Sequence, residues 1–242
     1  MGKILLITGR ELGAYFRTWT GYIIAAVALL INGLLFNAFA IGDKPKFSAD
    51  VLADFFYFSS GIGMVAGVFL AMRLIAEEKQ SGTITLFFTS PISERQLVYG
   101  KFLSALTFFL CLETLTLYLP ALIFISGKVS LGHLAAGYLG VVLLGMTVLA
   151  ISLFASAVAP NQMVSGVLGA AITVTFLVLW MLSLVVDEPF RDLFSYLAIH
   201  NNHFMPFARG LVNIKDVVFY GSMILFFIEC SVRALEARRF EG

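Results

Sequence analysis

The sequence has few charged residues for its length. Of its 242 residues only 13% are Asp, Glu, Lys or Arg, whereas 60% are hydrophobic, and the mean hydropathy is +0.93. Soluble domains carry about 25% charged and about 45–50% apolar residues. The composition therefore excludes an ordinary soluble globule, because too little polar surface is present to cover one. It indicates a chain that has lipid as its solvent.

Three further absences exclude other classes of protein. The net charge is only +1, so no overall basic field favours nucleic acid as a partner. The cysteines, Cys111 and Cys230, both lie in apolar stretches, which argues against a disulfide framework. No internal repeat or low-complexity tract divides the chain, and residues 1–242 are interpreted as a single domain.

A phosphate-binding loop is also missing. That loop requires Gly-x-x-x-x-Gly-Lys-Ser/Thr, because backbone amides and the Lys together hold the phosphates. The Gly-Lys pairs of this chain are instead followed by Ile4, Phe102 and Val129. We therefore expect that the chain does not hydrolyse ATP and binds no cofactor or metal of its own.

Six apolar stretches have the length needed to cross a bilayer, which is about 20 residues for a helix. They cover residues 19–41, 55–72, 102–125, 131–159, 163–186 and 217–232. The sequence predicts an all-α integral membrane protein with six spans and both termini on the same side. With a cytoplasmic N-terminus, 10 of the 16 Lys and Arg residues lie inside. This bias favours an inner-membrane protein with both termini cytoplasmic.

Two segments outside the spans are amphipathic. Residues 1–18 mix apolar residues with charges, which predicts a helix on the membrane surface; a frayed tail is the alternative. The residues that carry this pattern include Arg10, Glu11, Tyr15 and Phe16. Residues 187–216 predict a short amphipathic or re-entrant helix at the outer interface. His200 and His203 are expected in a solvated loop there.

The connection over residues 74–100 has the most specific pattern. Its charged head, Glu77-Glu78-Lys79, precedes a helix break at Ser81-Gly82-Thr83. Residues 83–89 then form a short, partly apolar helix that Pro91 ends, and Ser93-Glu94 begins the next helix. The exposed apolar residues of the short helix need a cover, which lipid or a partner protein could provide. Docking of a partner is favoured over a plain loop.

These residues carry a resemblance to a known family. The run Glu77-Glu78, Gly82-Thr83, Leu86 and Pro91, continuing to Gly100-Lys101, resembles the signature of type-2 ABC exporter permeases. The chain is most similar to the permeases of gliding-motility-associated ABC transporters, a likeness that residues 13–22 and 207–216 share. One departure is Phe87-Phe88, which is bulkier than the aliphatic run common in the family.

The resemblance implies a function and a set of partners. Two permease subunits pair, as homodimer or heterodimer, and each docks a separate cytoplasmic ATPase subunit that holds the ATP and Mg. The complex moves a substrate across the membrane, and an accessory protein with a periplasmic domain is a further candidate partner. The coupling residues would be Glu77, Glu78, Gly82, Thr83, Leu86, Phe87 and Pro91. The N-terminal surface helix would contact the ATPase as well.

Two acids lie inside predicted spans. An ionised carboxylate in hydrocarbon costs at least about 2.5 kcal/mol, so each should face protein or water. Glu113 is interpreted either as lining a translocation path or as a packing residue. Glu229 is interpreted as structural, because water or Arg233, one turn away, can reach it. The spacings Gly63-x-x-x-Gly67 and Ser165-x-x-x-Gly169 favour close helix contacts, mostly within the subunit.

Two rival functions remain at this level. An ion-coupled secondary transporter could use Glu113, but no inverted repeat of the kind typical of such folds is visible. An intramembrane metalloprotease could use Glu77-Glu78 with His200 and His203. Metal chemistry needs these groups around one ion, whereas the predicted topology puts them on opposite sides of the membrane.

Overall fold

The structure is a computed structural model that describes residues 2–42, 46–88, 91–126 and 128–239. Within these ranges the chain forms α-helices and one π-helical segment, with no strand. The α-helices are α1 (Gly2–Arg17), α2 (Trp19–Leu35), α3 (Ser48–Ala71), α4 (Ala76–Gln80), α5 (Ile84–Phe88), α6 (Glu94–Leu115), α7 (Tyr118–Ser126), α8 (Leu131–Val158), α9 (Gln162–Ser183), α10 (Phe190–Leu197), α11 (Phe204–Ala208) and α12 (Ile214–Arg239). The π-helical segment, Phe36–Ile41, continues α2.

Six helical stretches of the described chain are long and apolar enough to cross a membrane. They are Trp19–Ile41, Ser48–Gln80, Glu94–Ile125, Leu131–Val158, Gln162–Ser183 and Ile214–Ala237. The prediction of an all-α fold with six spans is confirmed. Two of the helices, α3 and α6, begin well before the predicted apolar stretches. Their first turns are polar, such as Glu94-Arg95 in α6, and are nevertheless helical. We call the end of the bundle that carries α1 the α1 end, and the opposite end the α10 end.

Helix α8 is the centre of the bundle. In the most apolar part of its span 72% of the residues are buried, against 22% for α2 and 17% for α9. Glycines on α8 let large side chains approach its backbone, so closely that a Cβ would lie 2.0–2.4 Å from them. The pairs are Gly137 with Phe56, Gly140 with Phe207, and Gly145 with Phe109. Helices α2 and α9 lie at the periphery, with much of their apolar surface uncovered.

The small-residue spacings of α3 and α9 make contacts within this chain, as predicted. A Cβ on Gly63 would lie 3.4 Å from the Phe109 ring, and one on Gly67 would lie 3.3 Å from Val148. Gly169 lies close to Ser152. These glycines therefore set the distances between neighbouring helices of one subunit.

A turn at residues 72–75 separates α3 from α4 and is tied to α8. The hydroxyl of Ser156 accepts hydrogen bonds from the backbone N–H groups of Ile75 (3.0 Å) and Ala76 (2.9 Å). It donates to the carbonyl of Met72 at 3.0 Å. Lys79 reaches the carbonyls of Ala157 and Ala159. The Ser156 side chain therefore satisfies three backbone groups of the α3–α4 bend and fixes the bend inside the bundle.

The segment between α9 and α12 turns back into the bundle. The backbone N–H of Ile199 donates to the carbonyl of Phe176 at 3.3 Å, although α9 continues for seven more residues to Ser183. At 1.5 Å per residue, Ile199 lies about 10 Å below the end of α9. The Tyr220 hydroxyl donates to the carbonyl of Ile199 at 2.6 Å and fixes this depth.

The expectation of solvated histidines in this segment is wrong. His200 is 7% exposed and His203 is 4% exposed. His203 Nδ1 lies 2.7 Å from a carboxylate oxygen of the buried Asp216, and His200 Nε2 lies 2.9 Å from the Ser60 hydroxyl on α3. Burial lowers the pKa of His200, a shift that its contact with Asn201 partly offsets. The histidines are buried because the segment folds inward, which is the re-entrant one of the two arrangements that its pattern allows.

Candidate functional site

A charge cluster at the α1 end joins three elements. The ammonium of Lys101, on α6, lies 2.7 Å from Glu78 of α4 and 3.4 Å from Glu11 of α1. Arg10 pairs with Glu11 at 2.7 Å and lies 3.5 Å from Glu78. Lys101 is only 1% exposed, so a buried ammonium holds two carboxylates from different helices. Breaking such a pair costs far more than breaking a surface pair.

Helix α5 is attached to the same cluster through Phe87. The Arg10 guanidinium lies 5.1 Å from the centre of the Phe87 ring, and the Lys101 ammonium lies 5.9 Å from it. Both distances are within reach of a cation–π contact. Phe87 also packs, partly buried, against the hydrophobic core at this end. The next residue back, Leu86, is 68% exposed. Helix α5 therefore has one side fixed to the cation pair and another at the surface.

Helix α1 lies directly on α6. A Cβ on Gly100 would come within 2.8 Å of the Ile7 side chain, and the Thr8 hydroxyl donates to the Gly100 carbonyl at 3.1 Å. Lys3 donates to the carbonyl of Pro91, in the connection between α5 and α6. A close backbone approach at Gly100 thus brings α1 near enough for its charges to reach Lys101.

A second set of contacts fixes α1 to the α3–α4 bend. The Tyr15 hydroxyl donates to the carbonyl of Leu70 at 2.7 Å, and the Arg73 guanidinium lies over the Tyr15 ring at 5.3 Å. Arg73 also pairs with Glu77 at 3.0 Å. The rings of Tyr15 and Phe16 both contact that of Phe108, at centroid distances of 5.1 and 5.3 Å. Helix α1 is therefore an integral part of this end and not a frayed tail.

The electrostatics of α1 follow from these contacts. Burial raises the pKa of Glu11, but the Lys101 ammonium and the Arg10 guanidinium lower it by more, so the net direction is downward. Burial raises the pKa of the Tyr15 phenol above its usual range, so the hydroxyl stays a hydrogen-bond donor. At neutral pH the cluster therefore presents an ionised Glu11 to two cations and a neutral Tyr15 to the backbone.

The structure places the other predicted coupling residues around α5. Gly82 has a φ of +73°, in the left-handed region that side chains other than glycine rarely adopt. Thr83 is exposed, and its hydroxyl lies 2.9 Å from that of Ser81. Ser93 caps α6 through a reciprocal capping box with Gln96, as the sequence indicates. Pro91 is exposed, and the predicted helix residue Thr89 lies outside the described residues.

The two acids of the spans have different surroundings. Glu113 is 4% exposed between α6 and α3, with an oxygen 3.4 Å from where a Cβ on Gly63 would lie. Its other oxygen, Oε2, is buried with no hydrogen-bond partner among the described residues. The side chain of Glu229 is 42% exposed and pairs with Arg95 of α6 at 3.3 Å, so its ionic partner is not the nearby Arg233. Arg233 pairs with Glu236 instead, because the two helices bring Arg95 alongside.

Sequence reasoning missed Lys101 as the central residue of the site. The pattern places Lys101 at the end of the segment that resembles the family signature but gives it no partner. One signal was available: a Lys eight residues into a helix that is about to become continuously apolar needs a partner, because ionised groups near hydrocarbon rarely lack one. Which acids it would meet depends on how α1 and α4 pack against α6, and no local pattern contains that.

The proposed metalloprotease residues do not come together. Glu78 pairs at the α1 end, whereas His200 contacts Ser60, which lies 18 residues before Glu78 on the bent α3–α4 helix. The part on α3 alone, from Ser60 to Ala71, covers about 16 Å at 1.5 Å per residue. A metal ion bound by both groups would require ligands about 2 Å away. Within the described ranges no group of three or more His, Cys, Asp or Glu residues could hold a metal ion.

The fold and the site define a multi-pass α-helical membrane protein with a cluster of surface helices at one end. The chain belongs to the ABC-2 family of transporter proteins, whose family model matches residues 24–203. It is thus a permease of the ABC-2 type, a class of membrane subunit whose ATPase is a partner. The match includes α4, α5 and Lys101 but begins after α1. No curated protein matches the chain.

Proposed function

We propose that the chain is the permease subunit of an ABC exporter of the inner membrane, with both termini cytoplasmic. A cytoplasmic ATPase subunit docks on α5 and the neighbouring part of α1, and supplies the ATP and Mg chemistry. Membership of the ABC-2 family favours this function over an ion-coupled transporter that uses Glu113. The gliding-motility subfamily remains part of the proposal, as does an accessory protein with a periplasmic domain.

The observation that carries the proposal is the two-sided character of α5. Leu86 is one of its exposed residues and lies at the surface, whereas Phe87 is held between the cations of α1 and α6. A displacement of α5 would therefore be passed to α1 and α6 at the same time. Through Lys101 it would also reach Glu78 and the α3–α4 helix. Leu86 is a docking residue in this proposal, and Phe87 is a transmitting one.

Pairing with a second permease is supported by the periphery of the bundle. The spans of α2 and α9 are largely unburied within the subunit. An apolar groove of about 400 Å³ lies between α2 and α3, lined by residues such as Val27, Ile31 and Val65. In a membrane this surface is covered by lipid or by another permease, and we assign part of it to the second subunit.

The test uses two surface leucines of similar exposure at opposite ends. Leu86 is 68% exposed and Leu131 is 71% exposed. With the ATPase subunit co-expressed, Leu86→Glu should reduce its co-purification by about tenfold, the loss expected when a buried apolar contact is replaced by a charge. Leu131→Glu should leave it unchanged. Phe87→Ala should keep the ATPase bound but reduce its stimulation and the transport rate.

The two α5 variants separate docking from transmission. If Leu86→Glu retains a full complement of ATPase and normal stimulation, α5 is not the docking element. If Phe87→Ala loses the ATPase to the same extent as Leu86→Glu, then Phe87 docks directly and does not transmit. Membrane insertion, checked by the yield of folded protein, should be unaffected in all three variants.

A further inference from the structure

The α10 end holds an open cavity among α2, α3, α9 and the inward-turning segment. Its volume is about 850 Å³, within the range of natural ligand sites, which is about 300–1,000 Å³. Apolar side chains form most of its wall, among them Leu35, Ile62, Met64, Leu177 and Trp180. Three polar residues converge at one side of it: His200, Asn201 and Arg209. The cavity therefore combines a long apolar wall with one cationic corner.

A second cavity of about 600 Å³ adjoins the first. Asn201, Met205 and Arg209 line both cavities, so the two meet at these residues. Elsewhere the wall of the second cavity has the apolar residues Tyr196, Pro206 and Leu211 and the polar residues Asp192, Ser195, Asn202, His203, Asn213 and Lys215. An extended molecule that occupied both would have its apolar part beside Trp180 and its polar part beside Asn213, with Arg209 between them.

Arg209 is the charged residue at the junction. Its side chain is exposed, and in the described part of the chain it has no ion pair or hydrogen bond. The nearby Asp216 is already held by His203 at 2.7 Å and by Asn213 at 2.9 Å. The acid in the lining is Asp192, against the cations Arg209 and Lys215. The junction thus has an excess of positive charge and a donor geometry suited to phosphate or carboxylate.

The junction lies where the inward-turning segment returns to the end of the bundle. Ile199, two residues before Asn201, lies about 10 Å below the end of α9, fixed by the Ile199–Phe176 and Tyr220–Ile199 hydrogen bonds. Arg209 lies nearer that end, because the carbonyl of Ala208 is 2.7 Å from His133 Nε2 in the first turn of α8. Irregular backbone and polar residues at such depth occur where they are buried in protein or line a wet cavity. A guanidinium at the mouth of such a cavity can meet the headgroup of an amphiphile whose chain lies inside the apolar layer.

We propose that the two cavities form one binding site for an anionic amphiphile. Its apolar chain lies in the larger cavity against Leu177 and Trp180, and its phosphate or carboxylate binds Arg209 beside Asn201. Its remaining polar part extends into the smaller cavity. That the bound amphiphile is the cargo rests on the proposed function, whereas the binding itself needs no ATPase.

The test uses Trp180 as a reporter inside the site. The chain has two tryptophans, Trp19 and Trp180, and Trp19 lies at the start of α2. A Trp19→Phe background therefore leaves Trp180 as the one tryptophan, which is excited selectively over the tyrosines at long wavelength. This protein is reconstituted in phosphatidylcholine vesicles that contain dibrominated phosphatidylglycerol, and separately in vesicles that contain dibrominated phosphatidylcholine. Bromine on the chain quenches Trp180 only when that lipid occupies its surroundings.

We expect dibrominated phosphatidylglycerol to quench Trp180 with about five-fold higher relative affinity than dibrominated phosphatidylcholine, since one cation near an anionic headgroup contributes about that much. Arg209→Gln should abolish the preference, and Arg209→Lys should retain most of it. The matched control is Arg191→Gln, which removes an exposed Arg of α10 that lines neither cavity. It should leave the preference intact.

Several outcomes would overturn the proposal. Equal quenching by both lipids would mean that the cavity holds bulk lipid without selecting a headgroup. Loss of the preference in Arg191→Gln as well would mean a diffuse surface charge. Shielding of Trp180 from both lipids would mean that a second copy of the chain covers the cavity. Because these vesicles contain no ATPase, each result is independent of whether α5 docks one.

Discussion

At the scale of single residues, Lys101 has the most demanding environment in the molecule. Its ammonium is buried, and its positive charge is balanced by two carboxylates that come from sequence positions 90 and 23 residues earlier. Burying such a group costs several kcal/mol unless its partners are in place. The buried ammonium is therefore stable only when α1, α4 and α6 are all packed in place. It stabilises the packing of these helices only when both carboxylates are present.

Replacing Lys101 by Met should destabilise the protein strongly. The substitution leaves Glu11 and Glu78 close together, partly buried, with Arg10 as the remaining cation. We expect a loss of about 3 kcal/mol, as for one partner removed from a buried pair, measured as a lower thermal unfolding temperature in detergent. Lys128→Met is the control, because Lys128 is exposed.

If Lys101→Met destabilises the protein because two carboxylates lose their cation, removal of one carboxylate should reverse part of the effect. In the Lys101→Met background, Glu78→Gln removes one of the uncompensated charges and should restore part of the lost stability. If the double variant is no more stable than Lys101→Met alone, the lysine acts mainly through packing of its aliphatic chain, and the carboxylates are incidental.

Residue types were easier to predict than residue pairs. The sequence marks Glu229 as an acid that needs a partner, but the partner is Arg95, which is distant in sequence, and not the local candidate Arg233. It marks His200 and His203 as polar loop residues, but both are buried. In each case the sequence shows which polar residue a segment contains. It does not show the partner of that residue, because the partner lies on another helix.

At the scale of elements, α1 and α5 are held to the bundle by different means. Helix α1 lies flat against α6, with the Ile7 side chain at Gly100 and Tyr15 at the α3–α4 bend. Helix α5 is only one turn and a half long and is fixed mainly at Phe87. A helix this short is not stable by itself. Its conformation therefore depends on these contacts and on whatever covers Leu86.

The contact between α1 and α6 can be tested at Gly100. Gly100→Leu should push α1 away, because even a Cβ would lie 2.8 Å from Ile7. We expect faster amide hydrogen exchange over residues 2–17 and weaker ATPase stimulation. Gly13→Leu is the matched control on α1 itself, since a Cβ there meets nothing within 4 Å, and leucine favours the helix.

The exchange measurement also distinguishes two interpretations of the N-terminal helix. If residues 2–17 exchange as slowly in Gly100→Leu as in the wild type, α1 does not depend on α6 for its position. The contacts through Tyr15 would then be sufficient to hold it, and Gly100 would serve only the packing of α6.

The elements themselves were predicted well from apolar run lengths. All six spans occur where the sequence indicates them, and differences at their ends arise from polar first turns that stay helical. The inward turn of residues 198–209 was the element least determined by its own residues. Hydrogen bonds to Phe176 and Tyr220, on the helices before and after it, decide its depth.

At the scale of the whole molecule, an even number of spans puts α1 and the end of α12 on the same side. The charge cluster around Lys101 then lies beside both termini, and the cavities lined by Arg209 lie at the opposite end. The distribution of Lys and Arg favours the termini inside. Cargo contact and ATPase contact would therefore be separated by the thickness of the bilayer, joined through α3 and α8.

Reporter fusions test this arrangement. Fusions that end after Ser81 and at the C-terminus should be active only as cytoplasmic reporters. Fusions that end after Lys128 and Asp187 should be active only as external ones, because these positions lie in connections at the α10 end. An inverted pattern would place α5 outside and remove the basis for ATPase docking, and a mixed pattern would contradict the six-span count.

The sequence by itself determined the membrane environment, the six spans and the short helix between Gly82 and Pro91. These follow from local quantities: apolar run length, helix-breaking residues and charge along neighbouring positions. Only the tertiary structure decided that Lys101 holds Glu11 and Glu78 together, that the histidines are buried and that Arg209 meets an apolar cavity. Each of these depends on groups from separate helices, and their distances are set by packing on the glycines of α6 and α8.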